Sequence, residues 1–323
     1  MTDTAVIQVK PGLGDTIWHL PFVRAIAAHS PGGQVVFLSP PSSLARELLA
    51  AESPVREVVY FQHGGNEFKR ALNLVRLVRL LRSYRFRRIW ILDRTTRPAV
   101  AARLAGIPER LGLGLGAQRF WITNAGIDRK YFHAFPIDWL KQLMIAQSVP
   151  FSSTEPDLKV ADAALTAIDT RFCALPRPWL TLGIGASHPS KEWPDSHWQR
   201  LLQLMRTQFA GTIFLIGGPA LSARVARLIE ASGAATVNAC DLPVMQSAAL
   251  LKRANLYAGP DSGPLNLAAA VGTRAIGLFG ETPPLRYTQF IEVLRANDKG
   301  TAPVERIAPE RLLALLRERL ASA

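Results

Sequence analysis

Lys10-Pro11-Gly12-Leu13-Gly14-Asp15 follows the apolar run Ala5-Val6-Ile7-Gln8-Val9 and leads directly into Thr16-Ile17-Trp18-His19-Leu20. A β-branched run, two glycines at a turn and then a helical pattern open an α/β unit with a parallel sheet. Gly12 and Gly14 permit the backbone turns that a close ligand requires. A dinucleotide fingerprint would put a third glycine or alanine at position 17 and an acidic residue at the end of the second strand. Ile17 and Leu38-Ser39-Pro40 stand there instead, which argues against a nicotinamide site.

Asp15 has two readings. A carboxylate in the first helical turn caps free backbone N–H groups and meets the positive end of the helix dipole. The same field favours the ionised form, which is the form a general base needs.

Outward from this turn, short β-branched runs alternate with helical stretches. Strands are expected at 5–9, 35–38, 57–60 and 88–92, and helices from about 15 and over 42–51, 67–82 and 96–105. Between 150 and 178 the pattern loosens into segments bearing Ser152, Ser153, Pro156, Pro176 and Pro178 around one helix at 162–172. A domain boundary belongs there. The alternation then restarts, with strands at 179–184, 212–216, 235–238, 256–259 and 275–279 and helices at 196–209, 221–231 and 244–253. Trp198, Leu201, Leu202, Met205 and Phe209 recur at helical spacing and read as core. The expected division is 1–160 and 161–323, with a last helix over about 310–320 that packs on either domain, the first included.

Composition sets the class. The 323 residues are 48% hydrophobic, 20% charged and 8% aromatic, as in a compact globular enzyme. Cys173 and Cys240 are too few for a disulfide framework and lack zinc-site spacing, so a reducing compartment and no metal are expected. Neither a leader pattern at 1–14 nor an apolar stretch of ~20 residues is present, so a soluble, unprocessed protein is expected. The net charge of +13 is uneven, because residues 1–150 carry 20 Lys and Arg against 10 Asp and Glu. That half should face something anionic, unless the arginines serve only solubility. Between Lys69 and Arg88 lie eight basic residues and no acidic one. Such a helix suits anionic lipid headgroups or substrate phosphates, or is simply a solvated charged face.

Two further loops follow strands. Gly183-Ile184-Gly185-Ala186-Ser187-His188-Pro189-Ser190-Lys191-Glu192-Trp193-Pro194 offers glycines, the hydroxyls of Ser187 and Ser190, and the Lys191 charge. That is a plausible phosphate cradle or an ordinary solvated loop, and not a P-loop, since no Gly-Lys-Ser/Thr ends it. Gly259-Pro260-Asp261-Ser262-Gly263-Pro264-Leu265-Asn266 again joins a strand end to a helix, whose N–H groups suit an anion. Asp261 repels phosphate, so its work would be to orient Ser262 and the backbone or to meet sugar hydroxyls.

In order and spacing, these stretches resemble glycosyltransferase family 9, the ADP-heptose:lipopolysaccharide heptosyltransferases and their relatives. The resemblance runs over most of the chain. It is carried by Gly14-Asp15 with Pro21, by Gly185-Ala186-Ser187 to Lys191-Glu192-Trp193-Pro194 with Trp198, by Phe214-Leu215-Ile216-Gly217-Gly218-Pro219, and by Asp261-Ser262-Gly263 with Ala268-Ala269-Ala270 and Leu278-Phe279-Gly280. It implies a GT-B fold: two facing Rossmann-like domains with parallel sheets and a cleft, the first for the acceptor and the second for the nucleotide sugar. It also implies inverting transfer without a metal or other cofactor. Asp15 would be the base. Ser187, Lys191, Asp261, Ser262, Gly263 and Asn266 would bind the donor, expected to be ADP-linked. Gly14, Lys69, Arg70 and Arg97 are expected on the acceptor side.

The implied partners are the nucleotide sugar, an anionic glycolipid of the lipid A–Kdo type and the inner face of the cytoplasmic membrane, with the protein peripheral to it; no signal of oligomeric state is present. The sequence departs from the family pattern at Asn266, where histidine is common, at Ala220-Leu221-Ser222, where a glutamate usually meets the nucleoside, and at Trp18, where many members have histidine. His19, four residues past Asp15, either bonds to it or is a satisfied surface histidine. Those departures leave a family relative that uses a different nucleotide sugar or acceptor as the alternative within the class, and a non-catalytic basic nucleic-acid-binding protein is the rival from another class, suggested by the pI of about 10.4 alone.

Overall fold

The computed structural model describes residues 3–233 and 235–321. The chain separates into two compact units, one ending at Thr154 and the other beginning at Glu155. The second unit begins earlier than 161 because two hydrogen bonds, one to the Glu155 side chain and one between backbone groups, tie its first residues down. Gln289 N donates to Glu155 Oε1 at 2.8 Å and Leu158 N donates to Ala270 O at 2.7 Å.

The first unit runs β1 (Thr4–Ile7), α1 (Leu13–Ala28), β2 (Val35–Ser39), α2 (Ala45–Leu48), β3 (Val55–Tyr60), α3 (Glu67–Tyr84), β4 (Arg88–Ile91), α4 (Thr96–Leu104), β5 (Glu109–Gly112) and α5 (Pro136–Ala146). Its five strands lie parallel in the order β3-β2-β1-β4-β5. Every residue of β1 and β2 is buried, as expected of strands covered by helices on both faces. The helix expected over 42–51 contracts to the single turn of α2, preceded by a 3₁₀ turn at Pro41–Ser43. Leu44, in the left-handed region at φ 52°, separates the two turns.

The second unit runs α6 (Asp162–Phe172), β6 (Trp179–Gly183), α7 (Asp195–Met205), β7 (Thr212–Ile216), α8 (Ser222–Ser232), β8 (Thr236–Asn238), α9 (Val244–Arg253), β9 (Leu256–Pro260), α10 (Gly263–Ala270), β10 (Ala275–Phe279), β11 (Ile291–Arg295) and α11 (Pro309–Ala321). The sheet order is β11-β10-β9-β6-β7-β8, again parallel throughout. Trp198, Leu201, Leu202 and Met205 of α7 share one core with Trp193, Leu312, Leu313 and Leu316. Phe209, beyond the end of α7, packs against that core partly buried. The last helix therefore packs on the core of the second unit.

Both sheets change direction at their first strand. In the first, β1 lies between β2 and β4. In the second, β6 lies between β7 and β9. Ligands of open α/β sheets bind outside the carboxyl ends of the strands at such a switch point. The loops after β1 and β4, and those after β6 and β9, are thereby marked in each unit.

Candidate active site

In the first unit, the loop after β1 ends at Gly12, which caps α1. Asp15 folds back so that its Oδ2 accepts from Gly12 N at 3.2 Å, the reciprocal bond of a helix cap. A Cβ at Gly12 would stand 2.7 Å from that oxygen, so a larger residue here would displace the folded-back carboxylate. Lys10 Nζ lies 3.8 Å from Asp15 Oδ1, and the Asp15 side chain keeps 24% of its surface open. The cap is thus real, and it leaves the carboxylate reachable from solvent.

His19 is neither on the surface nor bonded to that carboxylate. It is fully buried, and its Nδ1 lies 2.5 Å from the main-chain carbonyl of Asp15. Burial lowers its pKa to about 4, outweighing the opposing pull of that carbonyl, and nearby Lys10 pushes the same way. The neutral ring therefore donates to Asp15 O through Nδ1–H. Trp18 stacks on it, with ring centroids 3.8 Å apart.

Across the same switch point, Asp93 follows β4. Its buried carboxylate accepts from Val9 N at 3.3 Å, from Thr95 N at 2.7 Å and from the Thr95 hydroxyl. One side chain so ties the loop after β1 to the loop after β4. Burial raises its pKa, against the lowering effect of these hydrogen bonds. His63, after β3, lies within the electrostatic reach of Asp93, Arg97 and Arg70. Burial lowers its pKa first, and the two guanidiniums add to that while Asp93 opposes it. Arg70 and Arg97 line one small hollow with His63, Gln62, Phe61 and Asn73.

Gly14 is the second residue of α1. Lys69 lies in the first turn of α3, where its backbone N–H donates to Asn66 Oδ1 at 3.0 Å, and it is not among the residues lining the hollow. Asp93 and His63 escape the sequence reading. An acidic residue directly after a strand, as in Leu92-Asp93, was the available signal.

In the second unit, Gly185 takes φ 91°, a conformation that L side chains rarely adopt, and opens the loop after β6. Trp193 anchors the far end of that loop. Its ring is fully buried and its Nε1–H donates to Ile307 O at 2.9 Å. Arg224 braces the loop from α8, reaching Glu192 at 2.8 Å and Asp195 at 2.7 Å. Between these anchors Lys191 points across the switch point, with its Nζ 2.5 Å from Asp261 Oδ2. Both side chains remain about a quarter exposed.

Asp261 therefore orients Lys191, a role not expected of it. Ser262 caps α10 and Gly263 is that helix's first residue, so the amide end of α10 opens beside the pair. Ser187 stands exposed on the loop after β6. Asn266 is engaged at both ends: its Nδ2 donates to Ser262 O at 2.8 Å, and its Oδ1 accepts from Tyr287 Oη at 2.5 Å. An ammonium group, a hydroxyl-bearing loop and a helix amino end at one switch point are groups of the kind that can hold a phosphate.

Residues 74–302 match the model of glycosyltransferase family 9 (heptosyltransferase). Among solved structures, the chain resembles ADP-heptose LPS heptosyltransferase II of E. coli, with 21% identity, TM-score 0.78 and 99% of each chain covered. It also resembles a family 9 glycosyl transferase from Veillonella parvula, with 16% identity, TM-score 0.81, and 100% of this chain and 98% of the other covered. A third likeness is to E. coli heptosyltransferase WaaC with ADP-2-deoxy-2-fluoro heptose, with 16% identity, TM-score 0.74, and 98% and 99% covered. No curated protein sequence matches. At these identities the structural likenesses establish the fold, which is the two-domain GT-B arrangement of parallel-sheet units.

Proposed function

Since the chain belongs to glycosyltransferase family 9 (heptosyltransferase), we propose that it moves a heptose or related sugar from ADP-heptose to an anionic envelope glycolipid of the lipopolysaccharide inner core, inverting the anomeric carbon. The observation that carries this reading is the Lys191–Asp261 pair at the amide end of α10, on the switch point of the second sheet.

In the proposed reaction, Asp15 takes the proton of the acceptor hydroxyl. The oxygen then attacks the anomeric carbon, and the carbon–oxygen bond to the diphosphate breaks with its electron pair leaving on the phosphate oxygen. Lys191 and the α10 amides offset the charge that develops there, which leaves no step to a metal or cofactor. Ser187, Ser262, Gly263 and Asn266 shape the rest of the donor site. The hollow with Arg70, Arg97 and His63 suits acceptor phosphates or carboxylates, with Lys69 and Gly14 on the same side of the reading. Among the described residues no helix is long and apolar enough to cross a membrane. Work at the cytoplasmic face of the inner membrane, held peripherally, follows from a lipid-borne acceptor.

Thermal unfolding with ADP, UDP and GDP in turn tests the donor. Stabilisation by ADP is the expected result, and stabilisation by UDP alone would sink the ADP assignment.

A further inference from the structure

Helix α3 carries two apolar stripes. One faces inward: Leu77, Val78 and Leu81 are buried, with Leu74 and Leu80 packed against the same core. The other is unpartnered. Phe68, Leu72 and Val75 are 79%, 39% and 45% exposed, and Arg79 continues their line at steps of four, three and four residues. At 1.5 Å per residue that ridge is ~16 Å long. Exposed Arg76 and Arg82 flank it, and Glu67 is the only acidic residue of the helix. Core packing explains the first stripe and leaves the second without a purpose, since exposed phenylalanine and valine on a helix gain nothing in water.

We infer that the outer face of α3 is a docking surface for an anionic lipid bilayer, with Phe68, Leu72 and Val75 entering the headgroup boundary and Arg76 and Arg79 pairing with lipid phosphates. Charge complementarity selects this occupant. A second copy of so basic a chain would bring like charges together around the apolar ridge, whereas anionic headgroups supply both an apolar boundary and negative charge. The face sits on the same helix as the hollow that holds Arg70 and Asn73, so docking would bring a membrane-borne acceptor to the first unit. This purpose rests on the proposed acceptor reading, and the binding itself does not.

Sedimentation of the full chain with vesicles, phosphatidylglycerol-rich or purely phosphatidylcholine, tests the assignment. Binding to the anionic vesicles only is expected. Each of two variants, the triple Phe68→Ser/Leu72→Ser/Val75→Ser and the double Arg76→Glu/Arg79→Glu, should cut the bound fraction about tenfold or more. ADP-induced stabilisation, measured on the same preparations, should stay at the wild-type level and certifies that the variants are folded. Wild-type binding equal on both vesicle types, or variants that sediment like wild type, would overturn the proposal. So would an apolar variant that converts a dimer to a monomer without vesicle binding by either form. Transfer to a detergent-dispersed acceptor, run in parallel, reports on the reaction alone, so a wild-type protein that transfers sugar but binds no anionic vesicle removes this face and leaves the proposed function standing.

Discussion

Lys191 reaches across the switch point of the second sheet to Asp261, 2.5 Å away, and this pair joins the loop after β6 to the loop after β9. Without a bound anion the ammonium is neutralised by its own carboxylate. An arriving diphosphate adds a second acceptor beside the amide end of α10. Lys191→Ala should therefore weaken ADP binding by about 2 kcal/mol, roughly thirtyfold in Kd, and lower turnover as well. Titration calorimetry with ADP checks the first effect. Unchanged affinity would remove Lys191 from the donor site.

Gly12 leaves the space into which the Asp15 carboxylate folds. Gly12→Ala should push that side chain out and remove the bond to Gly12 N, costing about 1 kcal/mol of stability. In kinetics the substitution should lower kcat with ADP affinity unchanged. Wild-type kcat in a folded Gly12→Ala protein would show that the position of this carboxylate is unimportant.

His19 gives the first unit a definite pH response. Its pKa of about 4 lies below the ordinary 6.5 of histidine, so between these values the unfolded chain binds the extra proton. Its contribution to stability is complete above pH 6.5 and declines as pH falls toward 4, at up to about 1.4 kcal/mol per pH unit. Urea unfolding of wild type and His19→Asn at pH 7.5 and 5 measures this. The gap between the two proteins should shrink as the pH falls, and a constant gap would mean that the folded protein and the unfolded chain protonate this ring alike.

Asp93 accepts on both of its oxygens. In Asp93→Asn the amide nitrogen would confront either Val9 N or Thr95 N, two donors that cannot bond to it. A loss of about 1–3 kcal/mol in chemical denaturation is expected. Weaker use of the acceptor, seen as a raised KM, should accompany it, because the strap holds the loop leading to Asp15.

Much of this architecture was legible where strands are buried on both faces. Residues 213–216 and Ala275–Phe279 are unbroken apolar runs, and helix Val244–Arg253 shows clean periodicity, so these elements follow from the residues. The edge strands Glu109–Gly112 and Ile291–Arg295 were hidden, because an edge tolerates Glu109, Arg110, Glu292 and Arg295 and so loses the apolar signal. Asp15, Lys191 and Asp261 stand out because each follows a strand within a glycine-bearing loop. Asp93 and His63 do not. Their importance arises only when β4 inserts beside β1, a pairing between strands more than eighty residues apart. His19 reads in the sequence either as a partner of Asp15 or as a surface histidine, whereas the fold buries it and brings its ring to the main-chain carbonyl of Asp15.

Turnover by Asp15→Asn tests the central claim most directly. The measurement is transfer from ADP-heptose to a Kdo–lipid A acceptor, with ADP affinity determined on the same protein. The amide keeps the shape and one oxygen of the side chain but cannot take up a proton. A fall in kcat of roughly 10²–10⁴-fold with ADP affinity unchanged is the expected result. Near-normal turnover would contradict the assignment of Asp15 as the base.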